Sequence, residues 1–293
     1  MRQSCILCGS HKISPAFVKG KYLYKRCSSC GALFIANKLS PLKVHNLYSE
    51  EYFEAKSFDM EKRRGYPSYR EAQETLSATF AEKVSLIRRY APSGQLLDAG
   101  AAYGIFLQRA KPYFNGIGLE ISNFAASVAN KEFGVDVQVG SIEKTIFPDN
   151  HFNVITMWDI IEHLIDPFNA LKEVHRILKP GGYVFISTDD SANWLPRLLG
   201  KHWWAIGPPL HICHFSKQGI IEIFNRVGGF ETIDIIKDKR RYSIPEIIKN
   251  FGVSYKNMFL IKIGQGMEKS IINKLVISIY RPEQFMMISR KIS

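Results

Sequence analysis

No run of eighteen consecutive apolar residues occurs in this 293-residue chain, so the sequence offers no membrane-spanning helix. An apolar leader core is missing as well: the chain opens Arg2, Gln3, Ser4, Cys5, and cytoplasmic residence is the default expectation. Internal repeats and low-complexity tracts are absent, and a hydrophobic fraction of 46% is that of a folded chain, which excludes dominant disorder. Cysteine is scarce, at five residues, and their spacing is not that of a disulfide framework.

What cysteine there is falls into two knuckles, Cys5-x-x-Cys8 and Cys27-x-x-Cys30, with Cys213 alone. Two thiolates in a tight knuckle can occupy two corners of a tetrahedron, so the pair of knuckles predicts one zinc ion with all four positions filled by protein. Gly9 and Gly31 follow each second cysteine and give the turn its backbone freedom. A closed site has no position for water or substrate, which makes this zinc structural, the support of a segment too small to bury a core of its own. A redox role is the weaker alternative, because one metal explains both knuckles.

Charge is uneven along the chain. Residues 1–70 carry 13 Lys+Arg against 5 Asp+Glu, residues 240–293 carry 10 against 3, and the intervening 71–239 carry 16 against 19. The two ends therefore supply the whole net charge of +12. That balance suits nucleic acid, an anionic membrane surface, a phosphorylated or nucleotide-linked substrate, or a plain solvated basic face.

The segment Leu96-Leu-Asp-Ala-Gly-Ala-Ala-Tyr-Gly-Ile-Phe-Leu107 joins a short apolar strand, a small-residue loop and a helix start. Gly100 and Gly104 allow close backbone approach, and Asp98 at the strand end can accept hydrogen bonds from a ligand. About twenty residues on, Gly116-Ile-Gly-Leu-Glu120 is a second apolar strand ending in a carboxylate, the place where a doubly wound fold presents an acid to a ribose diol. On these residues alone, nicotinamide and methionine-derived cofactors both fit.

Residues 94 to 235 resemble class I S-adenosylmethionine-dependent methyltransferases. The glycine loop and Glu120 match, Gly140-Ser-Ile-Glu143 resembles the segment flanking the adenine, and Phe147-Pro-Asp-Asn-His-Phe-Asn-Val-Ile-Thr-Met-Trp-Asp159 resembles the entry into the fourth strand. Leu178-Lys-Pro-Gly-Gly-Tyr-Val-Phe-Ile-Ser187 resembles the helix end, tight turn and fifth strand. Two departures stand out: Ala102 replaces the middle glycine of the loop, and Ser141 stands where an Asp is common. The resemblance implies an α/β fold, a Rossmann-like seven-stranded sheet with helices on both faces and an antiparallel final hairpin, preceded by a small zinc-ribbon-like module. It implies S-adenosylmethionine as cofactor, with Asp98, Gly100, Ala101 and Gly104 at the methionine end and Glu120 on the ribose. Ile121, Ser141, Ile142 and Glu143 would then border the adenine, and Trp158 and Asp159 the methyl group.

Chemistry is expected where the fourth strand ends, because open α/β sheets bind ligands beyond the carboxyl ends of their strands. Asp159, Glu162 and His163 fall at i, i+3 and i+4, so a helix starting here would project all three from one face. His211 and His214 supply distant partners. In one reading His163 or His211 is a general base for an acceptor hydroxyl. In the other, Asp159, Glu162, His163 and one of His211 or His214 hold a divalent cation, magnesium or manganese. That pattern resembles plant small-RNA 2'-O-methyltransferases and ubiquinone-pathway O-methyltransferases. In a third, Asp159 and Glu162 cap the helix and His163 packs against the cofactor.

The chain divides on these marks into a zinc-binding module at 1–45, a helical connector or lid at 46–93, and a methyltransferase domain at 94–293 with an insertion at about 240–282. The connector bears Tyr48, Tyr52, Phe53, Tyr66 and Tyr69, as lid or as core. The insertion is basic and apolar, with glycines that break any long amphipathic helix, so it is expected to roof the core more than to lie on a membrane surface. The order of zinc knuckles, methyltransferase core, Pro208-Pro-Leu-His-Ile-Cys-His-Phe-Ser216 and Gly228-Gly-Phe230 resembles bacterial sugar and secondary-metabolite methyltransferases, and that resemblance implies a small hydroxylated acceptor, nucleotide- or lipid-linked. Alternatives are an RNA methyltransferase with the zinc module as clamp and a non-catalytic scaffold with a degenerate cofactor loop.

Overall fold

Apolar residues that alternate between two buried faces build the central strands. In this computed structural model, which describes residues 2–54, 69–254, 257–268, 270 and 275–293, Leu96, Val154, Phe185 and Met286 pack on one side of the sheet. Their neighbours Leu97, Ile155, Val184, Ile186 and Met287 pack on the other. Tyr66 lies outside the described residues.

In chain order the elements begin with β1 (Ile13–Lys19), β2 (Tyr22–Cys27), β3 (Leu33–Ile35), α1 (Pro41–His45), α2 (Glu50–Glu54) and α3 (Gln73–Ile87). The alternating core follows with β4 (Gly94–Ala99), α4 (Ile105–Ala110), β5 (Phe114–Glu120), α5 (Asn123–Val128), β6 (Asp136–Val139), β7 (Phe152–Trp158), α6 (Pro167–Ile177) and β8 (Leu178–Asp189). Then come α7 (Trp194–Leu199), β9 (Cys213–His214), α8 (Lys217–Val227), β10 (Phe230–Ser243), α9 (Ile244–Ser254), α10 (Met258–Met267) and β11 (Val276–Lys291).

The large sheet has seven strands in the order β10-β11-β8-β7-β4-β5-β6. β4 to β8 run parallel, and β11 pairs antiparallel with both β8 and β10. Strand order reverses at β4, the switch point where adjacent loops part and leave a crevice. Helices α3, α4 and α5 pack on one face, α6 and α8 on the other.

The N-terminal module is joined to this core. Its three strands form a sheet completed by β9, which pairs Leu33 with His214 and Phe34 with Cys213. Cys5, Leu7, Cys27 and Cys30 belong to the same buried cluster as α6 and α8. Arg226 of α8 donates to the Leu7 carbonyl, and Ser216, the cap of α8, donates to the Cys30 carbonyl.

Two expectations are corrected. The antiparallel final hairpin extends into both ends of the segment expected as an insertion, with Ser243 paired to Val276 and Phe230 to Lys291. Charges hid its outer half: Asp238 and Arg240 alternate inward and are buried, though in sequence they read as loop. The helix expected from Asp159 is a single tight turn, Ile161–His163, with Asp159 in a left-handed conformation at φ +54°. The helix starts later, where Asp166 caps it by accepting from the Asn169 N–H at 3.0 Å and Pro167 takes the first position.

Candidate active site

The carboxyl ends of β4, β5, β7 and β8 open into a cavity of about 1460 Å³. Single small-ligand pockets are about 300–1,000 Å³, so this one has room for two molecules.

At one end the loop after β4 turns sharply. Gly100 has φ +78°, and a Cβ there would lie 2.1 Å from the Ile160 side chain. Ala102 keeps the left-handed turn at φ +48° without glycine, and its N–H donates to Glu120 at 2.9 Å. The Ser122 N–H donates to the other Glu120 oxygen, also at 2.9 Å. One buried carboxylate thus clamps the loop after β4 to the start of α5, and the alanine leaves the turn intact. Ala101, Ile121, Ser141 and Ile142 line the same wall, while Gly104, at φ +73°, caps α4 behind it. Glu143 accepts from the Asp166 N–H at 2.9 Å and so ties this wall to α6.

Asp98 is buried beneath this loop, and its carboxyl is pushed up to about 7 by burial, against the pull of the Thr156 hydroxyl at 2.7 Å. Across from it stands Lys83 of α3, which sequence reasoning did not single out. Its ammonium is buried, paired with Asp238 at 3.1 Å and 4.2 Å from the Trp158 ring centre; burial lowers it to about 8. A signal existed, since Lys83 falls on the stripe of Leu76, Phe80 and Ile87, the apolar face of α3.

At the other end Asp159, Glu162 and His163 line the cavity but do not act as one face. Asp159 forms an ion pair with Arg240 from β10. Glu162 is buried and accepts from the Thr188 hydroxyl at 2.9 Å; burial first, then the charge of Asp189, raises its pKa well above the usual carboxylate range. His163 Nδ1 lies 2.9 Å from the Tyr48 hydroxyl, and the ring also hydrogen-bonds the Leu210 carbonyl. Burial lowers its pKa, so the ring is neutral with both nitrogens engaged.

The residues brought together are instead His211, His214 and Asp189. The carboxylate oxygen Oδ2 of Asp189 lies 3.6 Å from His211 Nδ1 and 3.5 Å from His214 Nδ1. Burial would raise the Asp189 pKa, but the two imidazoles outweigh it and hold the carboxylate ionised. Asp189 ends β8, and the strand-end rule applied to the fifth parallel strand, as it was to the fourth, would have found it.

The four knuckle sulfurs converge as the spacing predicts. Cys5 and Cys30 Sγ are 3.6 Å apart, as are Cys8 and Cys27, and all four lie within 4.8 Å of one another. Sulfurs 2.3 Å from a tetrahedral zinc stand about 3.8 Å apart, so the set fits that ion. Gly9 and Gly31 both have positive φ, and their N–H groups close each knuckle on the Cys5 and Cys27 carbonyls. All five cysteines are free thiols.

A family model described as a methyltransferase domain matches residues 69–234. An uncharacterised protein of Methanocaldococcus jannaschii is 29% identical over 119 residues, 41% of this chain and 56% of its own length, so the match spans little more than half of that relative. The ubiquinone biosynthesis O-methyltransferase of Pseudomonas entomophila is 28% identical over 167 residues, 53% of this chain and 70% of that protein. A solved SAM-dependent methyltransferase from Thermotoga maritima, described as a possible histamine N-methyltransferase, has a TM-score of 0.51 at 22% identity. It covers 77% of this chain and 93% of its own, a likeness of fold.

Proposed function

The chain belongs to the methyltransferase-domain family of S-adenosylmethionine-dependent enzymes, and from that premise we propose that it methylates a hydroxyl oxygen of a small acceptor. One observation carries the reading: a single cavity joins the clamped loop after β4 to a carboxylate–imidazole corner at the end of β8. The name of the Pseudomonas relative, an O-methyltransferase, supports oxygen as the acceptor atom. Tyr48, Tyr52, Tyr69 and Trp204 line the cavity and suit a sugar ring, while Lys19 and Arg281 bring positive charge that suits a phosphate-linked one.

S-adenosylmethionine supplies, when bound, a methyl carbon already activated by a sulfonium, so the protein's task is alignment, exclusion of water and the handling of one proton. Glu120 holds the loop that faces the nucleoside. Ionised Asp98 would face the cationic methionine end, and Trp158 forms the wall between the two halves. Each methyl delivered forms one O–C bond as the C–S bond breaks, and the hydroxyl proton it replaces must be taken up at the far end of the cavity. His163 is spent on Tyr48 and Leu210, which leaves the corner formed by Asp189, His211 and His214 for that role.

Calorimetric titration with S-adenosylmethionine and S-adenosylhomocysteine tests this. Micromolar affinity is expected, with at least a tenfold loss in Glu120→Ala, about 1.4 kcal/mol. A folded protein that binds neither would overturn the reading in favour of a scaffold.

A further inference from the structure

We propose that Asp189, His211 and His214 bind a divalent metal ion of the zinc class, at a second metal site separate from the four cysteines. Its role in methylation rests on the reading above, that the acceptor occupies this end of the cavity.

Three features point to an ion. First, the donors come from separate segments, the end of β8, the loop before β9 and β9 itself, yet one atom of each lies within 4.8 Å of the others. Second, the separations are wrong for hydrogen bonds and right for ligands. At 3.6 and 3.5 Å the Asp189–imidazole contacts exceed the usual N–H···O range of about 2.7–3.2 Å. Nitrogen and oxygen atoms 2.0–2.1 Å from a tetrahedral ion stand about 3.4 Å apart, which is close to what is seen. The cysteine site meets the same test with the same margin, 3.6 Å against about 3.8 Å.

Third, Asp189 Oδ2, His211 Nδ1 and both ring nitrogens of His214 are buried without a hydrogen-bond partner among the described residues. Several polar atoms facing one another in this state are costly to bury, and a cation at their centre would satisfy three of them together. His214 is fully buried, whereas Asp189 and His211 line the cavity and His211 is 27% exposed. One side of the site therefore opens on the acceptor space, the pattern of three protein ligands and one free position that marks catalytic zinc.

The donor set also selects the ion. Two imidazoles and one carboxylate suit zinc, whereas magnesium wants oxygen ligands throughout. Of the set expected from the sequence to hold a cation, Asp159, Glu162 and His163 are committed to Arg240, Thr188 and Tyr48, while His211 and His214 stand with Asp189. A metal here would acidify an acceptor hydroxyl at neutral pH, the function sought for this corner.

The experiment is a metal count on the full chain. Protein equilibrated with excess zinc, or with cobalt, is freed of unbound ion and its metal measured by mass spectrometry, with S-adenosylhomocysteine affinity as an independent check on folding. Two equivalents per chain are expected for the natural protein and one for His211→Asn and for His214→Gln. The cobalt protein should keep the sulfur-to-metal absorption and the visible bands of the four-cysteine site in both variants while losing the additional visible absorption of the second site. A single equivalent in the natural protein, or two in both variants, overturns the site. Because nucleoside affinity is read separately, loss of the metal site and loss of the methyltransferase reading give different results.

Discussion

Asp98 carries the molecule's plainest pH signature. Its carboxyl titrates near 7 in the fold against an ordinary 3.8, because burial disfavours the charge more than Thr156 and Lys83 restore it. Between those values folded Asp98 holds a proton that the unfolded chain has lost, so its contribution to stability falls as pH rises from about 4 to about 7 and levels off above. The midpoint of thermal unfolding should therefore drop between pH 5 and 7. Asp98→Asn keeps the shape and cannot ionise, and should make that slope shallower, the remainder coming from Glu162; a slope unchanged in the variant would place its origin elsewhere. The same scale explains why Asp159 differs from its expected role. With Arg240 brought against it by β10, its charge is already matched, and the left-handed backbone turns it out of register with Glu162 and His163.

Among the elements, the hairpin of β10 and β11 with its cap of α9 and α10 borders the cavity at the end where we place the acceptor. Ile247, Asn250 and Phe251 of α9 and Ile279 of β11 line it. Lys249 fastens α9 to Glu71 at 2.7 Å and to Glu268 at 2.5 Å. Because Ser243 and Val276 are paired across the ribbon, residues 244–275 can be replaced by a short turn that preserves strand register. The shortened protein should keep its S-adenosylhomocysteine affinity within about threefold, since Gly100, Glu120 and Ser141 lie elsewhere, and should lose transfer to its acceptor. Loss of nucleoside affinity in calorimetry would instead make this hairpin part of the cofactor site.

For the molecule as a whole, the sheet that β9 completes links the two ends of the chain's chemistry. Zinc at the knuckles would order β3, and β3 pairs directly with the strand that holds His214. Cys8→Ser should lower the unfolding midpoint by about 5–10 °C, the equivalent of about 3 kcal/mol in a chain of this size. It should also weaken acceptor turnover while leaving nucleoside affinity nearly unchanged, as read by a methyl-transfer assay beside calorimetry. Full turnover in a variant that has lost its knuckle zinc would mean that module and corner are independent.

Local spacing was enough for the parts whose chemistry is local. Two Cys-x-x-Cys pairs with glycine after each, a glycine loop behind an apolar strand, and acids closing β4 and β5 need their residues at fixed intervals along the chain, so the sequence alone determined the knuckles, the doubly wound core and the clamped loop after β4. The end of the cavity at β8 is a matter of tertiary structure. Asp189 and His211 come from different elements and meet where Asp190, just past β8, bridges to Phe215, just past β9; Lys83, Asp238 and Arg240 look solvated in sequence and are buried only because each finds a partner from another element. A charge can be buried only beside its counter-charge, and which charges become neighbours is decided when the elements pack.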